Sequence, residues 1–430
     1  MYCFRTATLL AVCATSILPG SHAFLGSSSL PGLRNARHPA VAVAQRGNRA
    51  AATGLRMQET EVGSESYTIV PSALAGEGGG WTIKGLKPPP AQGTVWARAR
   101  PKVGEVLKMG AGSFGTIYIG FDLKTGEEVA VKTEPDYGLK TSMLRHEGEM
   151  LVQLQGSPGI SKVHWIGTRE LVGEDSNIMV MELLGPDMEH LLEFLDTRSF
   201  TPKTGLMLCR QMIECLEAVH AAGIVHRDIK PENFLMGVGP NANKVYLIDF
   251  GLADWYVDEN GDHVPQTRTT GEMRGTVRYA STNKHNCISE ARRDDLEELM
   301  TVVVYLMCGP LPWQSSELGT IDGLADTRSG NSRRRQLETI KSTKLQTDPV
   351  DLVARSQQEL PESVSEMLAE LLSYARALGY DEAPDYGYLK ARVDQVMAQE
   401  GYTMDYEYDW GNRVPSGMPL FGRFNLPSFK

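Results

Sequence analysis

Residues 105–132 alternate apolar and polar positions about a glycine-rich turn and run on through Glu128-Val129-Ala130-Val131-Lys132, which predicts strand, loop, strand, strand. Residues 143–155 then place Leu144, Met150, Leu151 and Leu154 near helical spacing, so a helix should follow. Ile178-Met179-Val180-Met181 reads as an apolar strand, and Glu182-Leu183-Leu184-Gly185-Pro186 breaks it into a hinge. Leu206, Leu208, Met212, Ile213, Leu216 and Val219 mark a long apolar-faced helix. Residues 295–308 predict a helix that is apolar nearly all round and therefore buried, although its run from Leu299 to Cys308 is too short to span a bilayer. No internal repeat recurs at solenoid periods.

Before this patterned region the chain has a different character. Arg5 precedes the apolar run Thr8 to Ala14, and Ser21-His22-Ala23 offers a small-residue cleavage site, so residues 1–23 read as a signal peptide. Residues 24–58 are rich in Arg, Ala, Ser and Gly and lack acids, which is transit-peptide composition. With Phe24 just after the cut, the two segments resemble the two-part targeting sequences of algae with complex plastids. That resemblance implies a plastid destination reached through the ER; the alternatives are secretion, or a cytoplasmic protein starting at Met57. Residues 59–100 hold Gly76 to Gly80 and Pro88-Pro89-Pro90 and read as a linker.

Composition narrows the classes further. Hydrophobic residues at 41% and charged residues at 22% are ordinary for a globular chain of 430 residues. Residues 1–58 contain six Arg and no Asp, Glu or Lys; removing those six from the 43 basic residues leaves 37 against 53 acidic. That acidic balance argues against a nucleic-acid-binding surface. Cys209, Cys215, Cys287 and Cys308 remain beyond the leader and form no C-x-x-C pair; apolar neighbours around Cys209, Cys215 and Cys308 suggest buried thiols.

Three motifs carry chemistry. Val225-His226-Arg227-Asp228-Ile229-Lys230-Pro231-Glu232-Asn233 places a carboxylate, an ammonium and a metal-binding amide within six residues. Phosphoryl transfer from a magnesium nucleotide to a hydroxyl needs such a set: Asp228 as base, Lys230 on the moving phosphate, Asn233 on the metal. Val245 to Gly251 is an apolar strand ending in Asp249-Phe250-Gly251, and Asp249, 21 residues after Asp228, would chelate magnesium with Asn233. Gly110-Ala111-Gly112-Ser113-Phe114-Gly115 has a spacing that dinucleotide sites share. Here it lies between strands, with Lys132 following 17 residues after Gly115, whereas a dinucleotide-dependent oxidoreductase would open a helix. Its backbone amides would approach phosphates while Lys132 neutralises them. Glu147 is the best candidate to fix Lys132, with Glu149 the runner-up; His146 reads as structural.

With these residues in place, the chain from about 104 to 410 resembles the casein kinase I group of eukaryotic serine/threonine protein kinases. The carriers are Met181 to Pro186, Asn233 to Gly237, Gly275 to Ser281, Arg292 to Glu297, Leu311 to Gln314, Pro384-Asp385-Tyr386 and Tyr406 to Trp410. Arg274 to Arg278 is similar to the tau-tubulin kinase branch. The resemblance implies an α+β, bilobal protein kinase fold, with a mainly β N-lobe at 101–184, a mainly α C-lobe at 185–410 and a short tail at 411–430 carrying Ser416 and Ser428. It implies ATP and Mg2+ as cofactors and serine or threonine residues of proteins as substrates, for a chain acting as a monomer.

The resemblance also assigns Gly110, Gly112, Ser113, Phe114, Gly115, Lys132, Met181, Glu182 and Leu184 to the nucleotide, with Met181 as gatekeeper. It implies an anion pocket of Arg227 and Arg278 that accepts acidic or phosphorylated residues of the substrate. Asp254 departs from the group's basic residue there and would repel an acidic substrate if it faced the pocket. Gln336 stands where the group commonly has lysine, with Arg333-Arg334-Arg335 beside it as a substitute or a solvated charge run. The alternative from another class is a nucleotide-binding pseudokinase scaffold without turnover.

Overall fold

The computed structural model describes residues 67–68, 108–112, 115–122, 128–136, 142–171, 174–268, 273–314 and 330–411, all within the unit Arg56–Lys430. The leader segments at 1–23 and 24–58, Ser113, Phe114, and Ser416 and Ser428 of the tail lie outside the described residues. Of the linker expected at 59–100, only Tyr67–Thr68 is described, as a two-residue strand β1.

Strands β2 (Lys108–Gly112), β3 (Gly115–Asp122) and β4 (Glu128–Pro135) precede helix α1 (Met143–Leu154). Strands β5 (Val163–Leu171) and β6 (Glu174–Glu182) complete an antiparallel sheet in the order β1-β3-β4-β6-β5, with β2 also on β3. Alternation divides its faces. Val129, Val131, Ile178 and Val180 form a small core on one side, against Tyr118 and Trp165. Lys132, paired between Ile117 and Met179, points to the other.

Past the hinge come α2 (Met188–Phe194), α3 (Pro202–Ala221) and the short strands β7 (Ile224–Val225), β8 (Phe234–Met236), β9 (Val245–Leu247) and β10 (Asp254–Trp255). Helices α4 (Thr282–His285), α5 (Arg292–Cys308), α6 (Gly330–Gln346), α7 (Pro349–Val353), α8 (Glu362–Ala377) and α9 (Tyr386–Gln399) complete the lobe. Local sequence explains several starts: Ser142, Asp187, Thr201, Ser281, Asp348 and Asp385 each accept a backbone N–H of the first turn, and Pro follows Thr201 and Asp348. Helix α5 is buried from Asp294 to Cys308 and packs against α3 and α8. The larger core extends from it to Leu144, Leu151 and Met179, so α1 and one sheet face share the helical lobe's interior.

The result is an α+β fold of two lobes joined after β6. Cys209, Cys215 and Cys308 are buried free thiols, their pKa values pushed up by burial, and Cys287 is exposed. No helix among the described residues is long and apolar enough to cross a membrane.

Candidate active site between the lobes

Lys132 Nζ donates to Glu147 Oε2 at 2.6 Å and lies 3.3 Å from Asp249 Oδ1. Burial alone would lower the ammonium's pKa, but Glu147 and then Asp249 hold it above its ordinary value. Glu147 is 2% exposed, whereas Glu149 points to solvent. The difference follows from helical phase, because Glu147 shares the buried face of Leu144 and Leu151 three and four residues away.

Several contacts hold α1 where this pair forms. Glu134 of β4 accepts from the Ser142 hydroxyl and from the Met143 N–H at 3.2 Å. His146 Nε2 lies 2.7 Å from the Ala253 carbonyl, just past Asp249-Phe250-Gly251, which gives His146 a structural role. Gly148 faces the sheet at Ile166, whose Cδ1 would lie 2.7 Å from a Cβ at this position.

The loop after β7 is built on acids from inside α5. Asp295 accepts the backbone N–H of His226 at 2.6 Å and of Arg227 at 2.8 Å, fixing a turn in which Arg227 has φ 69°. Glu298 accepts from Ile229 N–H at 3.1 Å. Asp295 also lies 2.9 Å from His220 Nε2, and the Tyr386 hydroxyl of α9 bonds His220 Nδ1. Burial lowers the pKa of His220, which favours the neutral ring between Asp295 and Tyr386. Lys284 of α4 completes the underside, donating to the Arg227 carbonyl and pairing with Glu290 at 2.5 Å and Glu298 at 3.3 Å.

On that platform Asp228 Oδ2 accepts from Lys230 Nζ at 2.8 Å and Oδ1 from Thr276 N–H at 2.8 Å. Burial opposes its charge; Lys230, Lys284 and the Thr276 N–H outweigh that and hold the carboxyl below its ordinary range. Asn233 Nδ2 donates to the Asp228 carbonyl at 2.8 Å, which leaves its Oδ1 as an acceptor, and its backbone carbonyl takes Ile248 N–H at 2.9 Å. That pairing, at the end of the β8–β9 hairpin, sets Asn233 beside Asp249. Asp249 has φ 67°, and Phe250, fully buried, packs on His226 at 4.9 Å between ring centres.

The oxygens of Asn233 and Asp249 are hard donors that fit Mg2+, which binds through one or two such groups plus phosphates. Among the described residues no group of three or more His, Cys, Asp or Glu is arranged for a metal. Gly110 and Gly112 lie on β2, where Gly112 pairs with Gly115. Gly115 has φ 139°, and a Cβ on it would strike the Thr133 carbonyl at 2.2 Å, so this strand-to-strand approach requires glycine. Met181 and Glu182 end β6; Leu183 and Leu184 are buried, and Gly185 N–H bonds the Met236 carbonyl at 2.6 Å to start the helical lobe.

Arg227 and Arg278 are both present near this cleft, but acids already engage them. Arg227 Nη1 donates to Asp254 Oδ2 at 2.7 Å, and its Nε lies 3.5 Å from Glu290. Arg278 acts electrostatically on Glu189 and Glu232, and burial pushes Glu232 up to about 7. Arg334 and Arg335 on α6 are exposed. Sequence reasoning did not single out Asp295, Glu298, Lys284 or Glu134. Of these, Asp295 alone carried a signal, as part of the Arg292 to Glu297 motif.

An antiparallel sheet with one packed helix, a helical lobe, and a cleft where Lys132, Glu147, Asp228, Asn233 and Asp249 converge define a nucleotide-dependent phosphotransferase. The protein kinase domain family matches residues 104–377. That match spans more than half of the 430 residues, and the chain belongs to the protein kinase family. The family implies ATP, usually with Mg2+, and protein substrates.

Proposed function

We propose that the chain is a serine/threonine protein kinase of the casein kinase I type, transferring the terminal phosphate of ATP to serine or threonine hydroxyls. The observation that carries the phosphotransfer in this reading is the continuous set of bonds from Glu147 through Lys132 to Asp249, beside an Asp228 carboxylate bonded by Lys230, while the casein kinase I type and the serine/threonine preference rest on the sequence motifs.

In this mechanism Lys132, fixed by Glu147, holds the non-transferred phosphates, and the strand-borne glycines admit phosphate oxygens to backbone N–H groups. Asn233 and Asp249 would hold the magnesium, which would supply charge neutralisation on the phosphates. Asp228 is a low-pKa carboxylate, so it orients the substrate hydroxyl through a hydrogen bond and accepts its proton late, as the oxygen bonds to phosphorus. The bond from phosphorus to the bridging oxygen breaks, ADP leaves with the electron pair, and Lys230 stabilises the charge on the moving group.

The pseudokinase alternative lacks a supporting observation, since every charged residue assigned to the mechanism is present. The acidic or phosphate-primed preference would use Arg227 and Arg278, and access to Arg227 depends on Asp254. The full chain, given magnesium ATP and peptides with serine, threonine or tyrosine acceptors, should phosphorylate the first two. Transfer to tyrosine alone, or nucleotide binding without transfer, contradicts the reading.

A further inference from the structure

The Arg227 guanidinium would be the natural receptor for an anion arriving at the catalytic loop, but the chain brings its own. Asp254 sits on β10, whose pairing with β7 sets Asp254 opposite Val225 and Trp255 opposite Ile224. Tyr256 N–H continues the attachment to the Gly223 carbonyl at 3.0 Å. The carboxylate is therefore delivered from strand backbone. Its Oδ1 accepts from Trp255 N–H at 2.9 Å while Oδ2 takes Arg227 Nη1 at 2.7 Å.

Exposure shows which partner faces the solvent. The Asp254 side chain is 54% exposed, Arg227 22% and Glu290 13%, so Asp254 is the solvent-facing one of the two acids at the guanidinium. Glu290 holds it from beneath and also pairs with Lys284. The two cations, Arg227 and Lys284, thus meet Asp254, Glu290 and Glu298, so both are already paired with acids of the chain itself. A phosphate, with a charge near −2, would have to displace Asp254 from Arg227 and then remain beside it. An exposed ion pair is weak enough to be displaced. The repulsion that follows is not removed by displacement, because the strand keeps the acid nearby.

Resting on the kinase reading above, we propose that Asp254 is a specificity-determining residue: a built-in anion that occupies Arg227 and selects against acidic or phosphate-bearing substrate residues at this subsite. The kinase then takes unprimed serines and threonines, and the pocket expected from the casein kinase I resemblance is closed by one side chain of its own.

Peptide binding tests this without requiring turnover. Three labelled peptides that differ only in having serine, aspartate or phosphoserine three residues before the target serine are titrated into the full chain and into Asp254→Asn, followed by fluorescence anisotropy. The native chain should bind the aspartate and phosphoserine peptides about threefold or more weakly than the serine peptide. Asp254→Asn should tighten phosphoserine-peptide binding by about tenfold and aspartate-peptide binding by less, and adding Arg227→Gln should remove the gain. An unchanged ratio in Asp254→Asn, or a strong phosphoserine preference in the native chain, overturns the proposal. Phosphate transfer measured alongside reports separately on the kinase reading.

Discussion

The two halves of the site are held in different ways. In the sheet lobe, Lys132 is placed by a β4 backbone whose own core is Val129, Val131, Ile178 and Val180, and it meets Glu147 only because α1 is fastened by Glu134 and His146. In the helical lobe, Asp228 sits on a loop whose backbone N–H groups bond Asp295 and Glu298 inside the buried helix α5. A side-chain ion pair between two elements is set against backbone bonds to the core. The first can be lost with the fold intact; the second is part of the fold.

That contrast can be broken at its strong end first. Asp295→Asn turns an acceptor of three N–H groups into an amide that must present a donor to one of them. It should destabilise the chain by about 3 kcal/mol, read as a lower denaturant midpoint, together with loss of phosphate transfer. A variant with native stability would show that α5 does not anchor the loop.

At the weak end, Glu147→Gln should leave stability within about 1 kcal/mol, since Asp249 still faces Lys132, while lowering kcat by about 10- to 100-fold. A larger stability loss than that of Asp295→Asn would reverse the comparison.

The smallest effect concerns pH. Burial lowers the pKa of His220 in the folded chain, so below the unfolded value of about 6.5 the unfolded state binds the extra proton. His220 therefore contributes stability above that pH that is lost as pH falls from about 6.5 toward the folded value. Denaturation midpoints should decline over that window, and His220→Asn should flatten the decline; an unaltered slope would remove His220 from the account.

What the sequence made legible follows the same division. Contiguous motifs gave the glycine turn, the Asp228 loop and Asp249, because neighbours along the chain stay neighbours in a turn or hairpin. Between Glu147 and its runner-up Glu149 the structure decides, because only Glu147 lies on the buried face of α1. The supports were hidden because they lie far off: Asp295 is 68 residues from Arg227, and Glu298 is 69 from Ile229. Residues 295–308 read as apolar, and acids in such a helix look like a polar end until their backbone partners are known. Asp254 stood out as a residue of the wrong sign, but the strand pairing that brings it to Arg227 could not be read from two residues of β10.

The most direct measurement is phosphate transfer from magnesium ATP to a serine peptide by the full chain and by Asp228→Asn, with nucleotide binding measured on both. The account predicts transfer by the native chain, a loss of about 10²- to 10⁴-fold in the variant, and nucleotide binding in both. Transfer by Asp228→Asn at the native rate, or none by a native chain that binds nucleotide, would contradict it.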